Sequence, residues 1–481
     1  PYSQTNTTHR ETKRVEALKT VRKYCDEILD GRELAGECMK LAAARTIGEL
    51  DGIGPTWWDG EELERVAAFV STLKLHKFGG LPAILHPWQL HLVGALLARK
   101  GDDGLLATKH LCLEIGKGNA KSTTAAMIAL YLLAKTKHSV ELFSLATKRE
   151  QAARIIETAG SLALNCPGLT EDEGGDIQVR HNMLKGKSTR SFIQSIASSV
   201  RTADSLEGRL YIADECGRYT DDVLGKMAIA LAKPTVETQQ LLMVTTPGEN
   251  RSNPYYQRRD QMEQDLRAGV IEDHRVPMLY GIDEDDDPFD SSVWVKGNPM
   301  LAVGVMKEKQ IQIVANDHRE TLKGRSEFTR EICCRYDDRA AAFVDLAFWD
   351  QCEAVFDPLE VSVGRRVVAG ADLSKSHDLT AVVFAVMDDD RNVYLWGHAW
   401  TCECELESRQ RTGHMPFRRW AEEGHITISP GELIDLDDVE RYLREWSRKV
   451  DLWKINVDPV SGVADQLEQW KKDGLPIYGH P

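Results

Sequence analysis

The sequence predicts an α/β fold in two parts, a parallel sheet built around a phosphate-binding loop and a smaller α/β domain after it. From Leu111 onward, short apolar runs of strand length alternate with helical runs, which is typical of a parallel sheet with helical crossovers. A glycine-containing loop joins the first of these runs to a helix. At 481 residues the chain is too long for a single core, so more than one domain is expected.

The predicted strands of the first part are five apolar runs. They are Leu111–Ile115, Val140–Ala146, Phe192–Ile196, Leu210–Ala213 and Gln240–Thr245. Helices are expected before them, in residues 1 to about 50 and in Asp59–Leu73, and residues 250 to 360 are expected to be mostly helical. Beyond Val361, three more strands are predicted at residues 366–372, 379–386 and 392–400.

The loop after Ile115 has the composition of a phosphate-binding loop. Glycines allow backbone N–H groups to converge on a phosphate, and the start of the following helix favours negative charge. A lysine at that helix start reaches the β and γ oxygens, and the next hydroxyl ligates Mg²⁺. The predicted nucleotide-binding residues are Gly116, Lys117, Gly118, Asn119, Ala120, Lys121, Ser122 and Thr123.

The loop departs from the usual pattern at one position. The residue before the lysine is usually glycine, and this chain has Ala120. For this segment taken alone, a strand–turn–helix that merely contains glycine and lysine remains the alternative.

An apolar strand ends in two adjacent carboxylates, Asp214 and Glu215. Ligands bind at the C-terminal ends of strands in an open parallel sheet. Asp214 is therefore predicted to face the Mg²⁺ ion, and Glu215 to be the catalytic base that orients the attacking water. The alternative is a strand followed by an ordinary acidic turn.

Three further residues complete the predicted nucleotide site. Thr246 would contact the γ-phosphate, and Gln89 would hydrogen-bond to an adenine edge. Arg201 is the candidate arginine finger toward the nucleotide of a neighbouring subunit, with Arg209 as its competitor. Each is individually more often a structural or surface residue. The order of glutamine, loop, Asp-Glu strand and Thr-Thr strand resembles that of an ASCE-type, helicase-like motor ATPase.

A second group of carboxylates lies at predicted strand ends, namely Asp372, Asp378 and Asp458. Such carboxylates suit a two-metal phosphodiesterase, in which two ions roughly 3.5–4 Å apart clamp the attacking and leaving oxygens. We predict all three as metal ligands, with Asp372 and Asp458 catalytic. The alternative is that they cap strand ends and turns, as aspartates often do.

Two-metal sites usually require at least three carboxylates in the catalytic set, and only Asp372 and Asp458 are predicted as catalytic here. After Asp458 only three acidic residues remain, in or just after a predicted helix: Asp465, Glu468 and Asp473. We therefore expect the second domain to be truncated at its C-terminus, where another strand is predicted to begin.

Composition narrows the class of protein. A hydrophobic fraction of 42% and a net charge of −15 indicate an acidic globular protein, which excludes a uniformly basic surface but not a local basic groove. No apolar stretch approaches the ~20 residues of a membrane span. The ten cysteines follow no disulfide framework, so reduced thiols and a cytosolic location are expected.

The whole series resembles the large terminase subunit of tailed bacteriophages. The matching segments are Leu85–Gln89, Gly116–Ser122, Asp214-Glu215, Thr245–Pro247, and the aspartates Asp372, Asp378 and Asp458. The resemblance implies a P-loop (ASCE-type) ATPase motor followed by an RNase H-like nuclease. Its cofactors would be ATP and Mg²⁺, with Mn²⁺ as an alternative ion at the nuclease site.

The resemblance also implies an assembly and a division of the chain. We expect a homo-pentamer acting on double-stranded DNA at the portal protein of a procapsid, in the host cytoplasm, together with a small terminase subunit. The expected parts are a helical N-terminal region (1–75), the motor with a helical lid or linker subdomain (76–355) and the nuclease (356–481). The alternatives are another DNA-dependent motor, such as a helicase, and a non-catalytic docking subunit with a decayed phosphate loop.

Overall fold

The computed structural model divides the chain into two compact units, Pro1–Leu346 and Ala347–Pro481. The residues it describes are 16–75, 79–147, 149–197, 206–219, 222–231, 238–248, 253–270, 272–336, 349, 351–376, 378–404, 406, 417–457 and 463–479. Among them, no helix has the length and apolar character needed to cross a membrane.

The first unit begins with helices that share the core of the central sheet. They are Glu16–Leu29 (α1), Glu37–Leu50 (α2), Gly60–Thr72 (α3) and Pro87–Leu97 (α4), with four two-residue strands, Trp57–Trp58 (β1), Lys74–Leu75 (β2), Leu81–Pro82 (β3) and Arg99–Lys100 (β4). Val21 and Met39 are buried in the same cluster as Leu111. A buried ion pair between Arg99 and Glu49, 2.8 Å long, ties α2 to β4.

The central sheet of this unit has eight strands. In chain order they are His110–Glu114 (β5), Glu141–Ala146 (β6), Ile177–Arg180 (β7), Met183–Gly186 (β8), Phe192–Ala197 (β9), Leu210–Asp214 (β10), Gln240–Thr245 (β11) and Arg275–Leu279 (β12). Their order across the sheet is β12-β5-β11-β10-β6-β9-β8-β7. The pairs from β12 to β9 are parallel, and β7, β8 and β9 are antiparallel. The predicted parallel α/β fold is confirmed.

The five predicted strands of this sheet are present, each within one residue of the expected bounds. Strands β5, β10 and β11 are buried on both faces, apart from the half-exposed first residue of β5. Because they are parallel neighbours, their C-terminal ends lie next to one another on the same side of the sheet. The phosphate loop, the Asp-Glu pair and the Thr-Thr pair all follow these C-terminal strand ends.

Seven helices of the first unit follow the phosphate loop in the described residues. They are Lys121–Lys135 (α5), Arg149–Leu164 (α6), Val223–Ala230 (α7), Pro254–Arg267 (α8), Pro299–Ala302 (α9), Glu308–His318 (α10) and Leu322–Glu331 (α11). The expectation that residues 250–360 are mostly helical is wrong at β12, which pairs in parallel with β5 at the edge of the sheet. Pro277 lies inside β12, and an edge strand tolerates proline because one side of it needs no N–H donor.

The second unit contains a six-stranded mixed sheet. Its strands are Arg366–Asp372 (β13), Thr380–Met387 (β14), Val393–Cys402 (β15), Ile426–Ser429 (β16), Asp451–Val457 (β17) and Ile477–Gly479 (β18), in the order β16-β15-β14-β13-β17-β18. Its helices are Pro358–Val361 (α12), Phe417–Glu422 (α13), Leu436–Lys449 (α14) and Ala464–Lys472 (α15). Val439 and Leu443 of α14 are buried in the same core as Phe384 of the sheet. The three strands predicted beyond Val361 are confirmed.

Candidate nucleotide and carboxylate sites

The phosphate loop leaves the C-terminal end of β5 and leads directly into α5. Ala120 is the N-cap residue of α5 and has the left-handed backbone angles φ 56° and ψ 27°. Gly118 also has a positive φ, of 89°. Left-handed residues before a helix produce a concave arrangement of N–H groups that suits an anion.

Gly116 is required by close packing. A Cβ at this position would lie 2.4 Å from Asn298 Oδ1 and 2.8 Å from the carbonyl oxygens of Gly297 and Ile332. The Gly116 N–H donates to the Gly297 carbonyl (3.0 Å), and the Lys117 N–H donates to the Glu331 carbonyl (2.7 Å). Residues after β12 therefore form the outer wall of the loop.

Asn119 fixes the loop from inside. Its buried Nδ2 donates to the Gly116 carbonyl (2.9 Å) and to Asn298 Oδ1 (2.8 Å). Its Oδ1 accepts from the Met300 N–H (3.1 Å). The sequence indicated Asn119 as a loop residue but not Asn298, whose Asn-Pro pair is typical of an ordinary turn.

Lys121 begins α5 and is buried. Its Nζ donates to the carbonyl oxygens of Ile115 (3.1 Å) and Gly116 (3.3 Å). Burial lowers the pKa of Lys121, while the carboxylates of Glu215 and Asp214 act in the opposite direction. An ammonium held by loop carbonyls in this way can exchange them for phosphate oxygens.

Ser122 and Asp214 face each other across the gap between α5 and β10. The Ser122 hydroxyl donates to Asp214 Oδ2 at 3.3 Å. Burial raises the pKa of Asp214 to about 6, and the adjacent Glu215 carboxylate adds to this shift. Hydroxyl and carboxylate oxygens are the protein ligands that Mg²⁺ prefers, so the pair fits that ion.

Glu215 follows Asp214 in a left-handed conformation, with φ 51°. Its N–H donates to the Val244 carbonyl (2.8 Å), which fixes the turn against β11. The Thr246 hydroxyl lies 3.5 Å from Glu215 Oε2, whereas Thr245 uses its hydroxyl to accept from the Gly217 N–H (3.1 Å). Of the two threonines, Thr246 is therefore the one that reaches the candidate base.

Gln89 is buried, and its amide contacts the protein at both ends. Its Oε1 accepts from the His86 N–H (2.9 Å) and caps α4, while its Nε2 donates to Thr124 Oγ1 (2.7 Å) in α5. Contact with adenine remains a prediction. Thr123 lies in the first turn of α5 and is half-buried.

Lys117 and Arg218 both contact Glu331, a residue that the sequence did not indicate as part of this site. Lys117 Nζ lies 2.7 Å from Glu331 Oε2, and an Arg218 guanidinium nitrogen lies 3.4 Å from Oε1. Burial acts to raise the pKa of Glu331, but the hydrogen bond and charge of Lys117 outweigh it and lower that pKa. Glu331 is separated from Lys117 by 214 positions, so no local motif could have revealed the contact.

Of the two candidate arginine fingers, the structure describes only Arg209. Arg201 lies outside the described residues. Arg209 precedes β10, at the opposite end of that strand from Asp214, and donates to Gln240 Oε1 (2.8 Å). Its side chain is partly buried at that end of the sheet, and its role as an alternative arginine finger stays a prediction.

Two of the three predicted nuclease carboxylates, Asp372 and Asp378, lie at the same end of the β13–β14 pair in the second sheet. Asp372 ends β13 and is exposed, and Asp378 accepts from the Leu379 N–H (2.8 Å) just before β14. Ala371 pairs in parallel with Val457, so β13 and β17 end at the same edge. Asp458 lies outside the described residues.

The remaining acidic residues near the end of the chain lie on or beside α15. Asp465 and Glu468 are in that helix and Asp473 follows it, 3.9 Å from Arg444. Across the described part of the chain, no three His, Cys, Asp or Glu side chains are grouped to hold a metal ion.

Two family models together match most of the chain from residue 87 onward. The model described as "Terminase large subunit, ATPase domain" matches residues 87–264, and "Terminase large subunit, endonuclease domain" matches residues 272–480. The chain belongs to the large terminase subunit family. The endonuclease-domain match begins upstream of β12, inside the first compact unit.

Two individual proteins and one solved structure are also similar to the chain. This large terminase subunit is 25% identical over 429 residues to "Terminase, large subunit" of Enterobacteria phage HK97, covering 86% of this chain and 79% of that protein. It is 24% identical over 273 residues to "Protein YmfN" of Escherichia coli (strain K12), covering 54% and 57%. The crystal structure of the HK97 bacteriophage large terminase is similar at a TM-score of 0.48, with 23% identity over 87% of this chain and 84% of that one.

The family assignment confirms the predicted activities at the level of domains. The chain is an ATPase and an endonuclease of the large terminase type. Domains of these two kinds use ATP and divalent metal ions. Large terminase subunits act on DNA, with a portal and a small terminase subunit, during genome packaging.

Proposed function

We propose that this chain hydrolyses ATP at the Lys121–Glu215 site to drive double-stranded DNA into a procapsid, and cuts concatemeric DNA at Asp372. The proposal rests on one contact. Ser122 Oγ lies 3.3 Å from Asp214 Oδ2, beside the buried side chain of Lys121. A helix start, a lysine, a hydroxyl and a carboxylate at one edge of a parallel sheet form the set that a magnesium–nucleotide complex needs.

Each loop residue has a proposed role in binding ATP. The N–H groups of the loop, with Lys121, bind the β and γ phosphate oxygens, and Ser122 and Asp214 would hold Mg²⁺. The bound ion supplies charge neutralisation on the phosphates. The full set of proposed nucleotide contacts is Gln89, Gly116, Lys117, Gly118, Asn119, Ala120, Lys121, Ser122, Thr123, Asp214 and Thr246.

Glu215 is the proposed base. Its carboxylate orients the attacking water and takes its proton, and the Thr246 hydroxyl, 3.5 Å away, holds that carboxylate in place. Arg201 is the proposed arginine finger that acts on a neighbouring subunit. Its charge would stabilise the negative charge that develops on the transferred phosphate.

The second unit is proposed to cut DNA with Asp372, Asp378 and Asp458 as ligands of Mg²⁺ or Mn²⁺. Asp372 supports this role because it is exposed at the end of a strand whose parallel neighbour stops at the same edge. Asp372 and Asp458 are the proposed catalytic carboxylates. They would position the ions on either side of the scissile phosphate.

The proposed assembly is a homo-pentameric ring on the portal protein, working with a small terminase subunit in the host cytoplasm. A translocating motor must hold the phosphate backbone without reading bases. A chain with net charge −15 can do so with a few local cationic groups. Such binding would weaken steeply as salt is added.

The first test is steady-state ATP hydrolysis with and without duplex DNA. Lys121→Ala is expected to lose turnover because phosphate binding is lost. Glu215→Gln is expected to keep nucleotide binding and to lower turnover by about 100-fold or more, because water activation is lost. Glu157→Gln, an equivalent change at an exposed position of α6, serves as the matched control.

Hydrolysis that requires both residues and responds to DNA supports the proposal. Hydrolysis that persists in Lys121→Ala contradicts it. Nucleotide binding without any turnover, in the wild-type protein assembled on portals, would favour the docking-subunit alternative instead.

A further inference from the structure

A cavity with several charged side chains in its lining lies on the side of the first sheet opposite the phosphate loop. Its volume is ≈ 440 Å³, and its lining includes Lys100, Lys135, Lys137, Arg209 and Glu62. Strands β6 and β10 begin on this side of the sheet, and α5 ends there at Lys135. None of the proposed nucleotide contacts lines it.

The charges around this cavity are predominantly positive. Lys135 pairs with Glu62, and Lys100 pairs with Asp59 at 2.7 Å. Within the described parts of the chain, neither Lys137 nor Arg209 forms an ion pair with a carboxylate. Four cationic side chains therefore face one lining carboxylate, on a protein that is acidic overall.

Arg209 is a partly buried cation whose hydrogen-bond acceptor is neutral. Its guanidinium donates to the neutral Gln240 Oε1, and Gln240 is fixed in that orientation because its Nε2 donates to the carbonyls of Leu96 and Thr108. Burial lowers the pKa of Arg209 to about 10, and the charge of Glu62 only partly opposes the shift. Burial and the Arg209 charge together also lower the pKa of the neighbouring Lys109.

A desolvated cation with a neutral partner is unfavourable unless an anion approaches it. The cavity is open on one side, so an anion attached to a larger molecule can enter. Guanidinium and ammonium groups together are typical ligands of phosphate. The cavity therefore matches phosphate in charge and in donor chemistry.

We propose that this cavity is a second phosphate site, which takes either a backbone phosphate of duplex DNA or a free polyphosphate. The DNA case rests on the proposed function and adds a contact to it. Helix α5 connects the two sites, because its first residue is Lys121 and its last is Lys135. At about 1.5 Å per residue, it spans roughly 22 Å between them.

The test measures binding in the absence of ATP with the full chain. Lys137→Glu reverses an exposed charge and is not expected to affect folding; Lys23→Glu, at an exposed position of α1, is the matched control. Arg209→Gln and Arg209→Lys form a second pair, which separates charge from packing, and thermal melting checks that both fold. Binding of a labelled duplex is followed by fluorescence anisotropy across a salt series.

A second arm distinguishes a free ligand from DNA. Tripolyphosphate binding is measured by calorimetry in a Lys121→Ala background, so that the phosphate loop does not contribute. Lys137→Glu is then added to that background, with Lys23→Glu again as control.

If the ligand is a DNA phosphate, Lys137→Glu and Arg209→Gln each weaken duplex binding and each reduce the slope of log K against log salt by about 1. Arg209→Lys keeps the charge and leaves both the affinity and the slope unchanged. For a free ligand, only tripolyphosphate binding is weakened. The inference is overturned if neither ligand responds to these variants. It then fails separately from the proposed function, which is tested by Lys121-dependent hydrolysis.

Discussion

Ala120 adopts a conformation that glycine adopts more easily. At φ 56° its Cβ approaches the following carbonyl oxygen, which costs roughly 1–2 kcal/mol for a residue with a side chain. The loop nevertheless keeps the contacts of Lys121 and Asn119 on either side. The loop with Ala120 in place of glycine is thus a strained form of the usual phosphate-binding loop rather than a different structure.

Ala120→Gly should raise the free energy of unfolding by about 1 kcal/mol or less, because the relief of strain is partly offset by the greater freedom of glycine in the unfolded chain. Urea denaturation measures the change, and ATP hydrolysis should be retained. Ala120→Val should destabilise the protein, since a β-branched residue is worse at positive φ. Equal stability of the three proteins would show that the strain is absent.

Asp214 should make magnesium–nucleotide binding sensitive to mildly acidic pH. Its pKa is raised to about 6 by burial and by Glu215, and only the ionised form ligates the ion. Affinity should therefore level off above about pH 7 and fall as the pH drops through 6, approaching about tenfold per unit at lower pH. A fluorescent ATP analogue titrated between pH 5 and 8 measures this, and Asp214→Asn should remove the dependence together with most of the magnesium requirement.

The residues of the phosphate loop could be predicted because glycine, lysine and serine have fixed roles over a short span. Asn298 and Glu331 could not, since their contacts with Asn119 and Lys117 depend on how distant segments return to the loop. Arg201 and Asp458 lie outside the described residues, and their roles stay predictions.

At the scale of elements, a buried ion pair anchors α8 to the strand that precedes the phosphate loop. Glu114, the last residue of β5, accepts from Arg259 Nε (3.1 Å) and from the Tyr255 hydroxyl (2.8 Å). Arg259 also pairs with Glu263 on its own helix. Glu114 is 2% exposed, so these partners replace the hydrogen bonds to water that its carboxylate loses on burial.

Arg259→Met should lower the free energy of unfolding by about 3–5 kcal/mol, because it leaves the Glu114 charge buried without its cation. Adding Glu114→Gln to that variant should restore part of the loss, and a double-mutant cycle by urea denaturation measures the coupling. Independent, additive effects of the two changes would argue against the pairing.

Two of the strands that the sequence predicted are recognisable from their burial. Strands β10 and β11 are buried on both faces and therefore form continuous apolar runs. Strand β12 was missed because Pro277 interrupts its pattern, and β7 and β8 because polar residues alternate through that hairpin. Edge strands need less apolar surface, so a single sequence indicates them less clearly.

At the scale of the whole molecule, the two compact units are expected to carry separable activities. Asp372→Ala should leave ATP hydrolysis unchanged and abolish DNA cleavage, because Asp372 belongs to the second unit and the phosphate loop to the first. Parallel ATPase and plasmid-cleavage assays measure both, with Asp389→Ala, an exposed aspartate of the same unit, as control. A loss of ATP hydrolysis in Asp372→Ala would contradict the two-site organisation.

The contacts that surround Gly116 and Lys117 determine when the phosphate loop can form during synthesis of the chain. These residues donate backbone hydrogen bonds to Gly297 and Glu331, and Glu331 is made 214 residues after Lys117. At about 5–20 residues per second, a ribosome needs roughly 10 to 40 s to supply it. During that interval the nascent loop lacks the carbonyls that shape it, so the ability to hold nucleotide is acquired only after nearly the entire first unit has been translated.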